Sequence, residues 1–375
     1  MKVLILSTVH HWNDPRIFHK QACTLAKEHE VTLAAAGTGG ERVVSGVRVR
    51  PLGVWKSRSD RPRLWRRAHA EIARSKADVL HFHDPELALL LLPWVLLSRK
   101  KFVYDIHEHP VGGYGRRRWI PGLLRQPVAR LFPWFILHTP YLFDAVIIAE
   151  DGYRHLFPDR KNVHLIRNYA LIPDPDLACF DRYANFDPAK DLRLLYFGQL
   201  LVQRGAWIMV EMMQILAARF PGVSLDLVGE AMPPALGEQL RRAAEQSQGR
   251  IRLHGYVDFN DAGALLQQAH LGLIPLQPDP NHEGSLATKF FDYMVYGLPF
   301  VASDLPHWRS FIDQNPAGVY ADATDVERFA EAVSSVVESP QKLRELSHNG
   351  YRLVRERFRW ETEGERLLKI YRELA

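Results

Sequence analysis

Two cysteines, Cys23 and Cys179, are all that the 375 residues hold. That count excludes a disulfide framework and fits a reducing, cytoplasmic setting. Long apolar runs are missing too. The longest, around LALLLLPWVLL (87 to 97), falls short of the roughly 20 residues a membrane span needs. The opening MKVLILSTVHHW has one lysine and an apolar run too short for a secretory signal. Excess charge is small at +5, so the placement of basic residues matters more than their total. What remains is 47% hydrophobic and 24% charged, a folded chain long enough for two domains.

Short apolar runs alternate with helical patterns. KVLILST (2 to 8), EVTLAAA (30 to 36), ADVLHFH (77 to 83), KFVYDIH (101 to 107), DAVIIAE (144 to 150) and NVHLIRN (162 to 168) read as strands. RIFHKQACTLAKEH (16 to 29) reads as an amphipathic helix between the first two. Strands apolar on both faces imply a parallel sheet covered on both sides by helices. The rhythm breaks at ALIPDPDLACFDRYANFDPAKD (170 to 191), read as an interdomain linker. It restarts with LRLLYFG (192 to 198), SLDLVGE (224 to 230), RIRLHGY (250 to 256), LGLIPL (271 to 276), PFVAS (299 to 303) and AGVYA (317 to 321). One long helical pattern closes the chain from about 340 to 374. The expected fold is α/β, two doubly wound Rossmann-like domains in tandem. Ligands of such sheets sit beyond the C-terminal strand edges, which points to an interdomain cleft.

HEGSLATKFFDYMVYGLPFVASD (282 to 304) carries the first candidate site. If KFFDYMVYG is a helix, the backbone N–H groups of its first turn and the partial positive charge there suit a phosphate. Gly284, Ser285 and Ala287 are small enough for close approach, Lys289 adds a full charge, and Asp292 can accept from a ribose diol. Equally, Asp292 favours the start of a helix and Lys289 is solvated. The segment alone leaves both readings open. LLYFGQLLVQRGAWIMVEMMQIL (194 to 216) is a strand, a turn with Gly198 and Gly205, then a helix with Arg204 at its mouth. Arg204 can clamp a diphosphate or stand exposed at a helix start. Both segments end strands of the same predicted domain.

The ordered series of motifs resembles glycosyltransferase family 4, retaining enzymes with the GT-B fold. GQLLVQRG is similar to the family's G-R-L-x-x-E-K-G turn, and SLATKFFDYMVYGLPFVAS to a variant of its E-x7-E motif. LDLVGE and IRLHGYVDFNDAGALLQQAHLGLIPL resemble its nucleotide-binding strands and following helix. DVLHFHDPELALLLLPWVLLSRKKFVYDIHEHP resembles first-domain segments of a bacterial branch, VHLIRN a family strand, and FRWETEGERLLKIYREL the closing helix. The resemblance implies an acceptor-side domain over 1–175 with a returning helix at 358–375, and a nucleotide-sugar domain over 186–357.

Carried over residue by residue, the resemblance assigns Arg204 and Lys289 to the donor diphosphate, with backbone around Leu286, Ala287 and Thr288. Asp292 would take the ribose. Gly198 and Gln199 form the turn, and Gly229 with the Gly255–Tyr256 turn borders the base. His107 matches the histidine that touches the donor sugar. Three departures stand out: Gln199 replaces an arginine, Asp292 is a shorter acid, and Gly284 occupies the first acid's place, with Glu283 next to it as the substitute. The catalytic set is thus His107, Glu283, Arg204 and Lys289. The mechanism implied is front-face displacement without a protein-bound metal or other cofactor, the donor being a UDP or GDP sugar. Its product would serve bacterial cell-surface polysaccharide synthesis. His81 and His83 alternate on a strand, so at least one should pack in the core, and His10 and His11 in the first turn suit the acceptor side.

YGRRRWIPGLLRQPVARLFPWF (114 to 135) mixes Arg116, Arg117, Arg118, Arg125 and Arg130 with apolar and aromatic residues, and 56 to 74 adds a second basic cluster. Such a stretch suits an anionic membrane surface or a solvated helix packing its apolar side on the sheet. No nucleic-acid module accompanies these clusters, so a nucleic-acid partner is not expected. A glycan or lipid-linked acceptor at the inner membrane face follows from the resemblance. The alternatives are a nucleotide-sugar epimerase on the same fold and a non-catalytic nucleotide-sugar-binding subunit, the latter suggested by Gln199 and Gly284.

Overall fold

The computed structural model describes residues 1–55, 57–107, 122–158, 160–172, 180–257, 261–279, 282 and 284–375. The chain divides into two compact units, residues 1–168 with 360–375, and residues 169–359.

Eight strands build the sheet of the first unit: β1 (Lys2–His11), β2 (Glu30–Ala36), β3 (Arg42–Val44), β4 (Val47–Pro51), β5 (Val79–Phe82), β6 (Lys101–Ile106), β7 (Ala145–Ile148) and β8 (Val163–Leu165). Their order is β3-β4-β2-β1-β5-β6-β7-β8, parallel throughout except where β3 pairs antiparallel with β4. The order reverses between β1 and β5, so the crevice of this sheet opens beyond the ends of those strands. Leu80, Phe82, Phe102, Tyr104 and Val146 pack on one face with the helix residues Leu87 and Ile136. The opposite face carries His81, His83 and Asp105. Helix Pro15–Ala22 and the chain's last helix, Trp360–Leu374, both reach this polar cluster: Arg16 donates to Asp105, and Tyr371 meets His81.

The second sheet holds β9 (Leu192–Phe197), β10 (Val223–Val228), β11 (Ile251–Gly255), β12 (Leu271–Ile274), β13 (Phe300–Ser303) and β14 (Gly318–Ala321). Its order is β11-β10-β9-β12-β13-β14, all parallel, with the reversal between β9 and β12. That reversal puts the residues that follow β9 at the mouth of the crevice. Residues 180–183 of the Pro- and Asp-rich stretch pack onto this unit. Arg182 donates to the carbonyls of Leu266, Ala269 and Tyr296, and buried Tyr183 donates to that of His270.

Three sequence expectations change. The closing helical pattern is two helices, Pro340–Glu356 and Trp360–Leu374, and the first helix ends at Leu25 rather than 29. His10 and His11 close β1 instead of lying in a turn. The hairpin of β3 and β4 escaped the sequence pattern because RVV and VRVRP are short edge strands studded with arginine.

Candidate active site

In the second unit the geometry starts from Gly198, the first residue past β9. Its φ of +136° belongs to glycine, and a Cβ there would stand 2.7 Å from the Lys289 ammonium. Gly229, past β10, has φ +146° and presses on the Gly198 carbonyl so closely that a Cβ would stand 2.0 Å from it. The missing side chains make room for Lys289 to lie along the backbone.

Lys289 opens the short helix Lys289–Val295 and is only 8% exposed. Its ammonium sits 5.0 Å from the centroid of the Tyr196 ring. Burial, with the charge of Arg204 adding to it and Asp292 opposing, lowers the Lys289 pKa to about 7. Among the described residues no carboxylate is ion-paired with it. Tyr196 is buried and donates to the Gln199 carbonyl at 3.0 Å; burial pushes its phenol up to about 12, against the pull of Arg204 beside it. Tyr293 anchors the helix to the sheet, its hydroxyl accepting the Phe197 N–H at 3.1 Å. The loop before the helix is pinned where the Trp308 indole donates to the Ser285 carbonyl at 2.7 Å.

The fold therefore brings Gly198, Gly229 and Lys289 together at the ends of β9 and β10, with the charges of Arg204 and Asp292 felt at the Lys289 ammonium. Leu286, Ala287 and Thr288 lead into the helix, half-buried, with Gly284 in the turn before them. Gln199 is exposed, and Tyr256 is 73% exposed. Glu283 and residues 114–121 of the basic aromatic segment lie outside the described residues. Tyr196 and Tyr293 are not singled out by the sequence reading; the available signal was a tyrosine inside an apolar segment, whose hydroxyl requires a partner once buried.

In the first unit His107, just past β6, faces two partners. Its Nε2 is 3.1 Å from Nε2 of His10, and its Nδ1 is 3.3 Å from Oδ1 of Asp105. Asp105 is fully buried and accepts from Arg16 Nε at 3.1 Å, Arg16 Nη2 at 2.7 Å and Gln21 Nε2 at 2.5 Å. Burial would raise its carboxyl, but the Arg16 charge and the neighbouring His107 and His83 hold it well below the usual carboxylate range. His81, His83 and Asp105 bring ligand atoms within 4.8 Å of one another. Arg16 engages both carboxylate oxygens, so the trio lacks the free anionic donor a cation would need. Both His81 and His83 are core residues, and burial lowers the pKa of each.

The chain belongs to glycosyltransferase family 4, GT-B enzymes that transfer sugars from nucleotide-sugar donors. A family model described as Glycosyltransferase Family 4 matches residues 16–168, and one described as Glycosyl transferases group 1 matches residues 191–339. The chain is 24% identical over 335 residues to glycogen synthase of Mycobacterium tuberculosis, covering 89% of this chain and 73% of that relative. It is 24% identical over 320 residues to phosphatidyl-myo-inositol mannosyltransferase of Mycolicibacterium smegmatis, covering 84% and 76%. Sucrose-phosphate synthase of Thermosynechococcus elongatus has the same fold, with TM-score 0.77 at 17% identity over 100% of this chain and 98% of that one. So does Anabaena HepE in complex with UDP-glucose, with TM-score 0.68 at 14% identity and 100% of both chains covered.

One substitution tests the packing at β9. Gly198→Ala should cost the fold about 1–3 kcal/mol, because φ +136° strains any residue with a Cβ, and its methyl would push on the movable end of Lys289. It should weaken nucleotide diphosphate binding by about tenfold through displacement of the ammonium. Calorimetric titration with UDP and GDP reads the change, and parental affinity would detach Lys289 from the ligand.

Proposed function

We propose that this enzyme moves a sugar, with retention, from a nucleotide diphosphate sugar of the UDP type to a glycan or lipid-linked acceptor in bacterial cell-surface polysaccharide synthesis. The observation that carries the reading is Lys289: a buried ammonium on the Tyr196 ring, flanked by Arg204, with no ion-paired carboxylate among the described residues. A buried cation without a counter-ion is costly unless a ligand supplies the anion. A leaving diphosphate does so, and its growing charge in the transition state is what Arg204 and Lys289 stabilise. In this reading Asp292 holds the ribose, backbone at Leu286 to Thr288 the phosphates, Gly229 and Tyr256 the base, and His107 the donor sugar. UDP-glucose in the HepE structure supports the donor class, and the name of the mannosyltransferase relative supports a lipid acceptor. Incubation with a panel of nucleotide sugars, with and without acceptors, tests it. Nucleotide release that depends on acceptor is expected, and sugar conversion without acceptor would mean an epimerase.

Glu283 and Asp292 separate by ligand. Glu283→Ala should impair use of the intact nucleotide sugar and leave affinity for the free nucleotide unchanged, since it would touch the sugar. Asp292→Ala should weaken both by about ten- to a hundredfold, the ribose being common to both. Parental transfer by Glu283→Ala would remove that residue from the donor site.

No described helix is long and apolar enough to cross a membrane. Helix Gly122–Leu137 nevertheless exposes Leu123, Leu131 and Trp134 beside Arg130. We assign this segment to an anionic membrane surface, where the acceptor would reside. Changing Arg116, Arg117 and Arg118 to Ser should then weaken binding to anionic vesicles by ~1 kcal/mol per charge. Equal sedimentation of variant and parent would return the segment to an ordinary solvated face.

A further inference from the structure

His10 and His107 come from opposite sides of the strand reversal in the first sheet, at the ends of β1 and β6, and meet nitrogen to nitrogen. Their rings are 4.9 Å apart at 64°, and the Nε2 atoms stand 3.1 Å from each other. Such a pair forms a hydrogen bond when one nitrogen carries a proton and the other a lone pair. The outer nitrogens each face a carboxylate. Nδ1 of His10 faces Oδ2 of Asp14 at 3.2 Å. Asp14 is fixed in place, its Oδ1 accepting the backbone N–H groups of Arg16 and Ile17 at 2.9 and 3.0 Å. Nδ1 of His107 meets Asp105 Oδ1 obliquely at 3.3 Å and has no better-placed partner among the described residues. Carboxylates only accept, so each Nδ1 bears a hydrogen.

We infer that His10 and His107 form one acid–base unit that holds three N–H protons on four nitrogens, the third shared between the two Nε2 atoms, and that His10 is the positioning residue that sets how His107 presents its Nε2. The role in sugar transfer rests on the function proposed above; the proton count does not.

Charge supports the count. Asp105 is neutralised by Arg16, and Asp14 by the single positive charge of the pair. Without the shared proton, two lone pairs would face each other at 3.1 Å. With a fourth proton, two cationic rings would collide. Among the described residues, Asp14 at the start of helix Pro15–Ala22, Asp105 on β6, and His83 past β5 face the pair, the His83 ring 5.7 Å from that of His107; Arg16 lies behind Asp105. Burial alone would raise the Asp14 carboxyl, yet the hydrogen bond and charge of His10, the Ile17 N–H and the charge of His107 hold it well below the usual range. The arrangement gives His107 a proton to lend or a lone pair to offer, according to what displaces His10.

Nitrogen-15 spectroscopy of the whole protein at pH 7 tests the count, with His10→Phe and His10→Gln used to assign the two rings. Both Nδ1 atoms should appear protonated and both Nε2 atoms intermediate. In His10→Phe the His107 Nε2 signal should move to one ordinary extreme. His10→Gln keeps a donor to His107 but cannot ionise, so it should restore a lone pair on His107 Nε2 and abolish the shared-proton signal. A bare Nδ1 on His10 in the parent would overturn the inference. The second arm is the pH profile of nucleotide release with UDP-glucose. His10→Phe should lower turnover by about tenfold with little change in donor KM. His10→Gln should recover part of the turnover and lose one limb of the profile. Shared-proton signals in a protein that transfers no sugar would sink the proposed function and leave the pair standing. Active transfer with independently titrating rings would do the reverse.

Discussion

Asp105→Asn is expected to destabilise the protein by about 3–5 kcal/mol, a large share of the roughly 5–15 kcal/mol that holds a typical domain folded. Asn keeps the shape but loses the charge, and its amide would turn a donor toward a guanidinium. The Arg16 side chain is 4% exposed and its pairing carboxylate 0%, so the cation left behind has no water to turn to. The pH dependence follows from the depressed carboxyl. A group whose folded pKa lies below its unfolded value contributes fully above the unfolded value and loses that contribution as pH falls through the folded one. The gap between parent and variant should be constant near neutrality and begin to close only below about pH 4. Urea unfolding at several pH values measures it. Removing both charges in Arg16→Met with Asp105→Leu should recover only part of the loss, because a buried pair is nearly neutral to replace but Gln21 Nε2 and the Ile166 carbonyl then lose their partners. If Asp105→Asn alone were as stable as the parent, water would have to reach Arg16.

Much of this fold is legible in sequence for a physical reason. Central parallel strands are buried on both faces, so KVLILST, EVTLAAA and LRLLYFG announce themselves by unbroken apolarity. Edge strands lack that pressure, and β3 with β4 went unseen. The break between the last two helices, at 357–359, was hidden because Phe358 and Trp360 continue the apolar rhythm as buried residues. Motif order was enough to place Arg204 and Lys289 beyond the same sheet edge. What motif order does not convey is what lies beneath and beside them.

Tyr196 under Lys289 depends on which face of β9 the residue takes and on where the short helix docks. The cluster around Asp105 depends on register, since the β5–β6 pairing matches His81 with Val103 and so brings Asp105 level with His83. It depends too on Tyr371, whose hydroxyl is 2.8 Å from His81 Nδ1 across 290 positions of sequence. A local clue existed: an aspartate inside KFVYDIH, buried on both sides, demands a cation, and an arginine follows Asp14 and Pro15 in the chain. Reading that demand would have nominated Asp105 before any coordinates.

Lys289→Met should separate binding from stability, and in opposite directions. Nucleotide diphosphate affinity is expected to fall by about ten- to a hundredfold, the loss of a charge-assisted contact worth about 1.5–3 kcal/mol. The unliganded protein, by contrast, should gain roughly 1–3 kcal/mol at pH 6, because Met fills the site without a buried charge. The folded pKa is lowered from 10.5 to about 7, so below pH 7 both folded and unfolded lysine are charged and the burial penalty is complete. Between 7 and 10.5 the unfolded chain binds the extra proton, and parental stability rises with pH. The advantage of the Met variant should therefore be largest below pH 7 and shrink above it. Binding mirrors this. A diphosphate restores the charged form, so the parent should take up most of one proton per nucleotide at pH 8, seen as a binding enthalpy that depends on the buffer's ionisation enthalpy. Lys289→Met should show no such uptake. A parent that binds UDP at pH 8 without uptake would mean the lysine is already charged there, and the diphosphate would then owe its grip to Arg204 and the backbone; a Met variant with parental affinity would exclude Lys289 from the phosphate site altogether.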